Sequence, residues 1–396
     1  MKHYYTLLLL LLIAVVGVFT LDVYLPGIPA MAEQFHVNVR EIGYTFTGFT
    51  IAFAFCQLIY GAISDSFGRK PVLIIGLSIA AIATILCIYA KSYEVLFCAR
   101  ILQALGISSF VVVNAIVRDL YVDGRAVQVR SMIATASGIS IAIAPTIGGL
   151  LLGRYSWQGG FYASIILIVL ALIMTILGYQ ETKNNISTHI TLSVASSYLS
   201  ILKDHQFIFY AMIAMLAYAI HFVFIIMSAE IFIGNYRYTP LQFAYFMIVY
   251  GFIYFLAGVA STTLAKRKSV ITLLQVGGLL ISIGGSLMFL AFYFIPPYAL
   301  QSLLPMSVII IGVTIVRSSA ITGAMANMQN AAGQGAAIIN LIQFLVSALI
   351  ATGINAIFTL PVLSVAIFAF IASLLIIYFR WSLIKNENTT RDTCYV

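Results

Sequence analysis

Apolar residues run along this chain in stretches of about twenty, separated by short polar connections. A helix rising ~1.5 Å per residue crosses a ~30 Å hydrocarbon core in that length. Such runs lie near residues 6–29, 41–63, 71–90, 95–117, 128–152, 158–179, 206–229, 240–264, 270–294, 298–318, 332–353 and 359–381. That is twelve spans, with no soluble domain inserted between them. The one long polar break is 180–205, QETKNNISTHITLSVASSYLSILKDH, rich in Ser and Thr. The pattern predicts an all-α membrane protein divided into two halves of six spans each. Their expected bounds are 1–180 and 206–382, joined by a cytoplasmic linker at 181–205 and followed by a tail at 383–396.

Composition agrees with this class. Hydrophobic residues make up 62% of the chain and charged residues 8%, against a charged share of roughly 25% in soluble domains. Mean hydropathy is +1.07. Lys2 and His3 before an apolar run, with Ala30-Met31-Ala32 beyond it, have the outline of a signal peptide, but the run is too long and Asp22 interrupts it. Of the 20 Lys and Arg, fifteen fall on the side of the N-terminus: Lys2, Arg69, Lys70, Arg118, Arg125, Arg130, Lys183, Lys203, Lys266, Arg267, Lys268, Arg317, Arg380, Lys385 and Arg391. Arg40, Lys91, Arg154 and Arg237 fall opposite, and only Arg100 is left inside a span. Basic residues concentrate in cytoplasmic loops, so both termini are expected in the cytoplasm. The net charge of +8 expresses this topology and does not point to nucleic acid. Cys56, Cys87 and Cys98 lie in apolar spans and Cys394 in the tail, without metal-like spacing, and are read as buried free thiols.

Charge inside the membrane is costly and normally faces a cavity or a partner. The first span ends LDVYLPGIPA, where Pro26 and Pro29 loosen the helix beside Asp22. Asp22 comes out ~5 Å, and Arg100 ~8 Å, below the periplasmic face by helix rise. The two depths match, so Asp22 and Arg100 are expected to approach each other; a helix-capping Asp at the interface is the other reading. Candidates for a substrate cavity are Tyr24, Gln57, Gln103, Asn114, His221, Asn340 and Gln343. Several of these suit plain helix contacts equally well, and His221 in particular suits hydrogen-bonded structure.

Gly61–Pro71, GAISDSFGRKP, is a turn between two spans. Gly61 and Gly68 permit close approach and a tight turn, while Arg69 and Lys70 hold it at the cytoplasmic face. Asp65 calls for a cation or a helix N-terminus as partner. Arg118 and Asp119 end the fourth span on the same side, making Asp119 a candidate partner for Arg69 or Lys70 and the group a latch for the cytoplasmic side, although surface pairs contribute little alone. The fifth span, SGISIAIAPTIGGLL, carries Gly138, Pro145, Gly148 and Gly149, suited to close packing or to bending. A worn copy of the turn follows in the second half: Gly258, Ser261, Lys266 and Arg267 align with Gly61, Ser64, Arg69 and Lys70, with Thr262 in place of Asp65. Parallel six-span repeats of this kind occur in two-halved transporters. Apart from Glu230, no acidic residue lies within a span of the second half, so coupling chemistry is expected in the first.

These residues together resemble the major facilitator superfamily, its drug:proton antiporter group and most closely the Bcr/CflA type of efflux pump. LDVYLPGIP (21–29), the turn, RILQALG (100–106), AIVRD (115–119), the span-five motif and SWQGGFY (156–162) carry the resemblance. One departure is Ala144-Pro145, where the family pattern has Gly-Pro. The resemblance implies two pseudo-symmetric six-helix bundles around a central cavity, working by alternating access, with Asp22 as proton carrier, Arg100 as its electrostatic partner, and Gly61, Asp65, Gly68, Arg69, Lys70, Arg118, Asp119, Pro145, Gly148 and Gly149 in gating. Burial favours the neutral form of a carboxyl and a nearby cation its charged form, so a carboxyl alternating between the two settings exchanges protons. The expected function is proton-coupled export of drugs or other amphipathic small molecules across a bacterial inner membrane by a monomer, with no cofactor. Export of one endogenous metabolite or siderophore, and a non-transporting sensor on the same fold, are the alternatives. No nucleophile, metal cluster or phosphate loop suggests an enzyme.

Overall fold

The computed structural model describes residues 2–121, 123–182, 200–326, 328 and 332–393. Most of the expected linker (183–199), with Lys183, and Cys394 in the tail lie outside the described residues. Among the described residues every regular element is helical. The order is α1 (Lys2–Asp22), α2 (Ile28–Phe35), α3 (Val39–Phe67), α4 (Arg69–Ile88), α5 (Tyr93–Ile107), α6 (Val112–Leu120), α7 (Asp123–Tyr155) and α8 (Gln158–Gly178), then α9 (His205–Ala229), α10 (Pro240–Ala265), α11 (Val270–Phe294), α12 (Ala299–Met325), α13 (Ala332–Ile357) and α14 (Pro361–Thr393). Among the described residues twelve segments are long and apolar enough to cross a membrane, with α1 and α2 sharing one and α5 and α6 another. Their outer faces keep many large apolar side chains exposed, among them Ile75, Ile82, Ile166, Leu177, Phe252 and Phe294. In a bilayer such faces meet lipid, and only the polar ends need water.

Local sequence explains where the helices stop. Asn38 and Glu41 form a capping box that opens α3, and Ser92, Asp204 and Ser269 accept amides at the starts of α5, α9 and α11, as short polar side chains do at helix N-termini. Pro26 and Pro29 break the first span into α1, a 3-10 turn Leu25–Gly27 and α2. Pro145 does not break α7, which runs through it. α9 ends in a π turn, Glu230–Asn235, and α14 continues past the membrane-length segment Pro361–Ile384.

The chain forms two compact units: the described residues of Met1–Leu192 with Arg237–Phe252, and those of Ser193–Tyr236 with Ile253–Val396. The first part of α10 belongs with the first unit. Gly149 of α7 accounts for this, because a Cβ there would collide with Ala244 of α10. A tight helix pair occurs at the same place in each unit. In the first, Gly76 of α4 faces the Gly106 carbonyl of α5; in the second, Gly277 of α11 faces the Gly312 carbonyl of α12. Small residues at such crossings let the backbones approach.

Two expectations are corrected here. Cys98 is exposed, unlike Cys56 and Cys87, because it lies on the outer face of α5 beside Leu86 and Leu102. Arg317 is not at a span end: α12 continues eight residues beyond it to Met325, ~12 Å at helical rise. Arg100 is therefore not the sole intramembrane cation.

Candidate functional site

Asp22 is the last residue of α1, held where the prolines end the helix, and is 6% exposed. The break beside it is clamped. A Cβ on Gly148 of α7 would collide with the Val23 carbonyl, and one on Gly160 of α8 would lie 3.0 Å from the same oxygen. On the far side Trp157 packs on Gly27 and donates from Nε1 to Gln34 Oε1 at 2.6 Å. The residues of LDVYLPGIP, the fifth-span glycines and SWQGG thus meet at one place. Gly148 and Gly149 are packing sites, whereas a Cβ on Gly138 or on Gly61 would meet nothing within 4 Å. Gly61 therefore does not provide the close approach expected of it.

Arg100 of α5 is fully buried against this break. Its guanidinium lies 4.2 Å from the ring centroid of Tyr24 and 4.3 Å from that of Phe49, an arrangement that offsets part of the cost of burying a cation. Nη1 donates to the Thr20 carbonyl at 3.2 Å and to Gln103 Oε1 at 2.6 Å, and Gln103 Nε2 donates to Thr84 Oγ1 at 2.7 Å. Gln103 is thereby locked as a strut for Arg100, not available to a substrate cavity. Nε and Nη2 of Arg100 are buried with no hydrogen-bond partner. Asp22 is within electrostatic range, yet the ion pairs among the described residues do not include the two. A buried carboxyl therefore sits near a guanidinium with two unused donors, without the bond that would neutralise both.

At the turn after α3, Gly68 has φ 94°, a conformation that glycine adopts without strain. Glu181, from the segment after α8, fills the place its missing side chain leaves: its carboxylate accepts from the amides of Arg69 (3.0 Å) and Lys70 (2.9 Å), the first two of α4. A Cβ on Gly68 would lie 2.7 Å from that carboxylate. Lys70 Nζ returns the contact by donating to the Ile176 carbonyl in the last turn of α8 at 3.0 Å. An anion at a helix N-terminus and a cation at a C-terminus are both favoured by the helix dipole. Arg69 is 1% exposed and its fork reaches Asp65 at 2.7 Å, Asp119 at 2.9 Å and Ser64 at 2.7 Å. The expected surface pair is a cluster around a buried guanidinium, with the Asp65 side chain 53% and the Asp119 side chain 18% exposed, so solvent screens part of the attraction. Arg118 adds only long contacts, 3.6 Å to Asp65 and 3.8 Å to Asp119. Tyr179, buried beside the cluster and bonded to Thr182 at 2.9 Å, has its phenol pushed well above the usual range by that burial.

The second unit holds another charged group. Arg317 of α12 donates from Nη1 to the Tyr254 hydroxyl at 2.9 Å and from Nε to Gln343 Oε1 at 3.3 Å. It lies 4.7 Å from the ring centroid of Tyr218. His221 is buried against the rings of Tyr218 and Tyr254. Of the remaining candidates, Gln57 is buried on α3, Asn114 exposed on α6 and Asn340 half-buried on α13. Glu181, Arg317, Tyr218 and Tyr254 were missed from sequence. The apolar run beyond Arg317, SSAITGAM, was the available signal for one of them.

A family model described as Major Facilitator Superfamily matches residues 10–351. The chain belongs to the Major Facilitator Superfamily. This major facilitator is similar to a bicyclomycin resistance protein homolog of Haemophilus influenzae, 27% identical over 235 residues, which are 58% of this chain and 59% of that protein. It is also similar to the multidrug resistance protein MdtL of Klebsiella pneumoniae, 31% identical over 164 residues, 41% and 42% of the two chains. The chain spans about half the length of these curated relatives. Among solved structures, a D-xylose-proton symporter superposes with TM-score 0.79 at 15% identity, covering 96% of this chain and 98% of that one. A POT family transporter does so with TM-score 0.78 at 13% identity over 97% and 96%. These likenesses concern the fold alone.

Proposed function

We propose that this major facilitator is a proton-coupled antiporter that exports drugs or other amphipathic small molecules by alternating access, as a monomer in a bacterial inner membrane with both termini cytoplasmic. The observation that carries the reading is the arrangement at the end of α1. Asp22 lies at a proline-broken helix end clamped by Gly148, next to a buried Arg100 with two unused donors. A small movement of that break brings the carboxylate onto the guanidinium and releases its proton; the reverse movement returns it to the dry setting, where it takes a proton up. Substrate occupying the same access path is exchanged for that proton. The resistance proteins among the relatives support drugs as substrates, and the buried Arg69 cluster supports a latch that holds one conformation.

The test is transport in proteoliposomes under an imposed pH gradient, with ethidium as a lipophilic cation and chloramphenicol as a neutral drug. Wild type should drive both against the gradient. Asp22→Asn should retain binding and lose gradient-driven transport at least about 100-fold, the loss expected when a group essential to coupling is removed. Transport by wild type that ignores the gradient, or full coupling in Asp22→Asn, defeats the reading.

A further inference from the structure

We propose that Arg317 anchors the anionic group of an exported substrate, so that the second unit holds a site for aromatic carboxylates. The proposal rests on the export reading above and names the substrate class for it.

The charge balance of the second unit is the first observation. Arginine stays charged at any working pH, and an intramembrane cation calls for a counter-charge. None of the ion pairs among the described residues involves Arg317. By sequence, Glu230 is the one acidic residue on a span of this half, and it lies nine residues, ~13 Å at helical rise, beyond His221 on α9. Arg317 occupies the fourth span of the second six, as Arg100 occupies the fourth of the first. Arg100 has Asp22 within electrostatic range, whereas Arg317 is held by neutral groups, the Tyr254 hydroxyl, the Gln343 amide and the Tyr218 ring.

Unused donors are the second observation. The two hydrogen bonds of Arg317 engage Nε and Nη1, leaving Nη2, and the side chain is only partly covered. On the neighbouring Gln343, Oε1 faces Arg317 while Nε2 is buried with no partner, and the residue is 0% exposed. A buried donor left unmade costs free energy that an incoming acceptor recovers. A guanidinium with a free nitrogen beside an amide donor suits the two oxygens of a carboxylate, and charge-assisted bonds of this kind are strong. The surroundings fit the rest of such a molecule. Tyr218 packs edge-on against Phe344 at 5.2 Å, and His221 lies 5.3 Å from Tyr254 between ring centroids, so the charged point is bordered by flat apolar surfaces that accept an aromatic body.

The test uses purified full-length protein and three probe pairs that differ only in charge: 1-naphthaleneacetate, indole-3-acetate and 4-phenylbutyrate, each radiolabelled and compared with its own carboxamide in equilibrium binding. Wild type should bind at least one carboxylate about tenfold or more tightly than its amide, since one charge-assisted bond in a dry site exceeds a factor of ten. Arg317→Gln should bring that ratio to about one with amide binding unchanged, and Arg317→Lys should keep part of it. Tyr254→Phe, which removes one positioning bond and no charge, should reduce the preference and serves if Arg317→Gln does not fold. The proposal is overturned if no carboxylate outbinds its amide in wild type, or if the preference survives both Arg317→Gln and Tyr254→Phe. Ethidium transport by wild type separates the two readings: failure to move ethidium under a pH gradient defeats the export reading and leaves the carboxylate preference standing by itself.

Discussion

The turn Gly61–Pro71 and its copy at Gly258–Lys268 share the spacing of glycine, serine and two basic residues, and their side chains end in opposite settings. In the first, Arg69 is buried and holds Ser64, Asp65 and Asp119 within 2.9 Å. In the second, Ser261 pairs with Ser318 at 2.5 Å, the Thr262 hydroxyl donates back to the Val259 carbonyl of its own helix at 2.7 Å, and Lys266 and Arg267 are exposed. Two of the differences between them bear on the latch. Thr262 brings no charge where Asp65 does, and Lys266 is a point charge where Arg69 is a planar fork able to hold several acceptors at once. The basic residues mark the helix boundary in both turns; a latch needs the fork, a carboxylate in the turn and a second carboxylate from another span. The repeat keeps the boundary in both units and builds the latch in one.

The comparison breaks most readily at Arg69. Arg69→Ala leaves Asp65 and Asp119 without their shared cation; both carboxylates reach solvent, so the loss falls below the roughly 3–5 kcal/mol of a fully buried pair broken from one side. The expected outcome is a clear drop in the thermal unfolding temperature in detergent, together with loss of gradient-driven ethidium transport. Arg69→Lys should fall between, since one ammonium does not hold three acceptors in place. An Arg69→Ala variant as stable and active as wild type would show that the cluster latches nothing.

Glu181 comes next in size. Its carboxylate is the cap that Gly68 lacks, and losing a helix cap costs about 0.5–2 kcal/mol. Glu181→Ala should raise amide hydrogen exchange at Arg69 and Lys70, the two amides it accepts, with a smaller fall in thermal stability than Arg69→Ala. Glu181→Gln should recover part of the protection, keeping an acceptor and losing the charge. Unaltered exchange at both amides in Glu181→Ala would mean that the turn is held by other contacts.

The spans, their number and the break after Asp22 were legible because each follows from local composition: apolar length for the helices, proline for the break. The meeting of Arg69 with Asp119 was legible because both residues fall at the same end of their spans. Glu181 was not, since it stands in a polar segment and its role depends on which helix end folds back over it. Arg317 was hidden for another reason. A basic residue near the end of an apolar run looks like a boundary marker, and only the continuation of α12 to Met325 reveals that it is inside. The strut role of Gln103 was equally out of reach, because a glutamine on a span reads the same whether it faces substrate or, as here, Arg100 and Thr84.

The smallest expected effect sharpens the comparison from the side of the copy. Thr262→Asp restores the acidic residue that the second turn lacks and sets it four residues before Lys266, as Asp65 stands before Arg69. If the carboxylate in the turn were sufficient, this variant would acquire a latch. The exposure of Lys266 argues otherwise: an exposed pair at this spacing contributes about 0.3–0.5 kcal/mol, and salt screens it. Thr262→Asp should therefore leave transport unchanged and shift thermal stability by no more than that small amount, with the shift vanishing at high ionic strength. A large, salt-resistant gain would mean that Asp65 alone separates the two turns, and that burial of Arg69 follows from the carboxylate instead of preceding it.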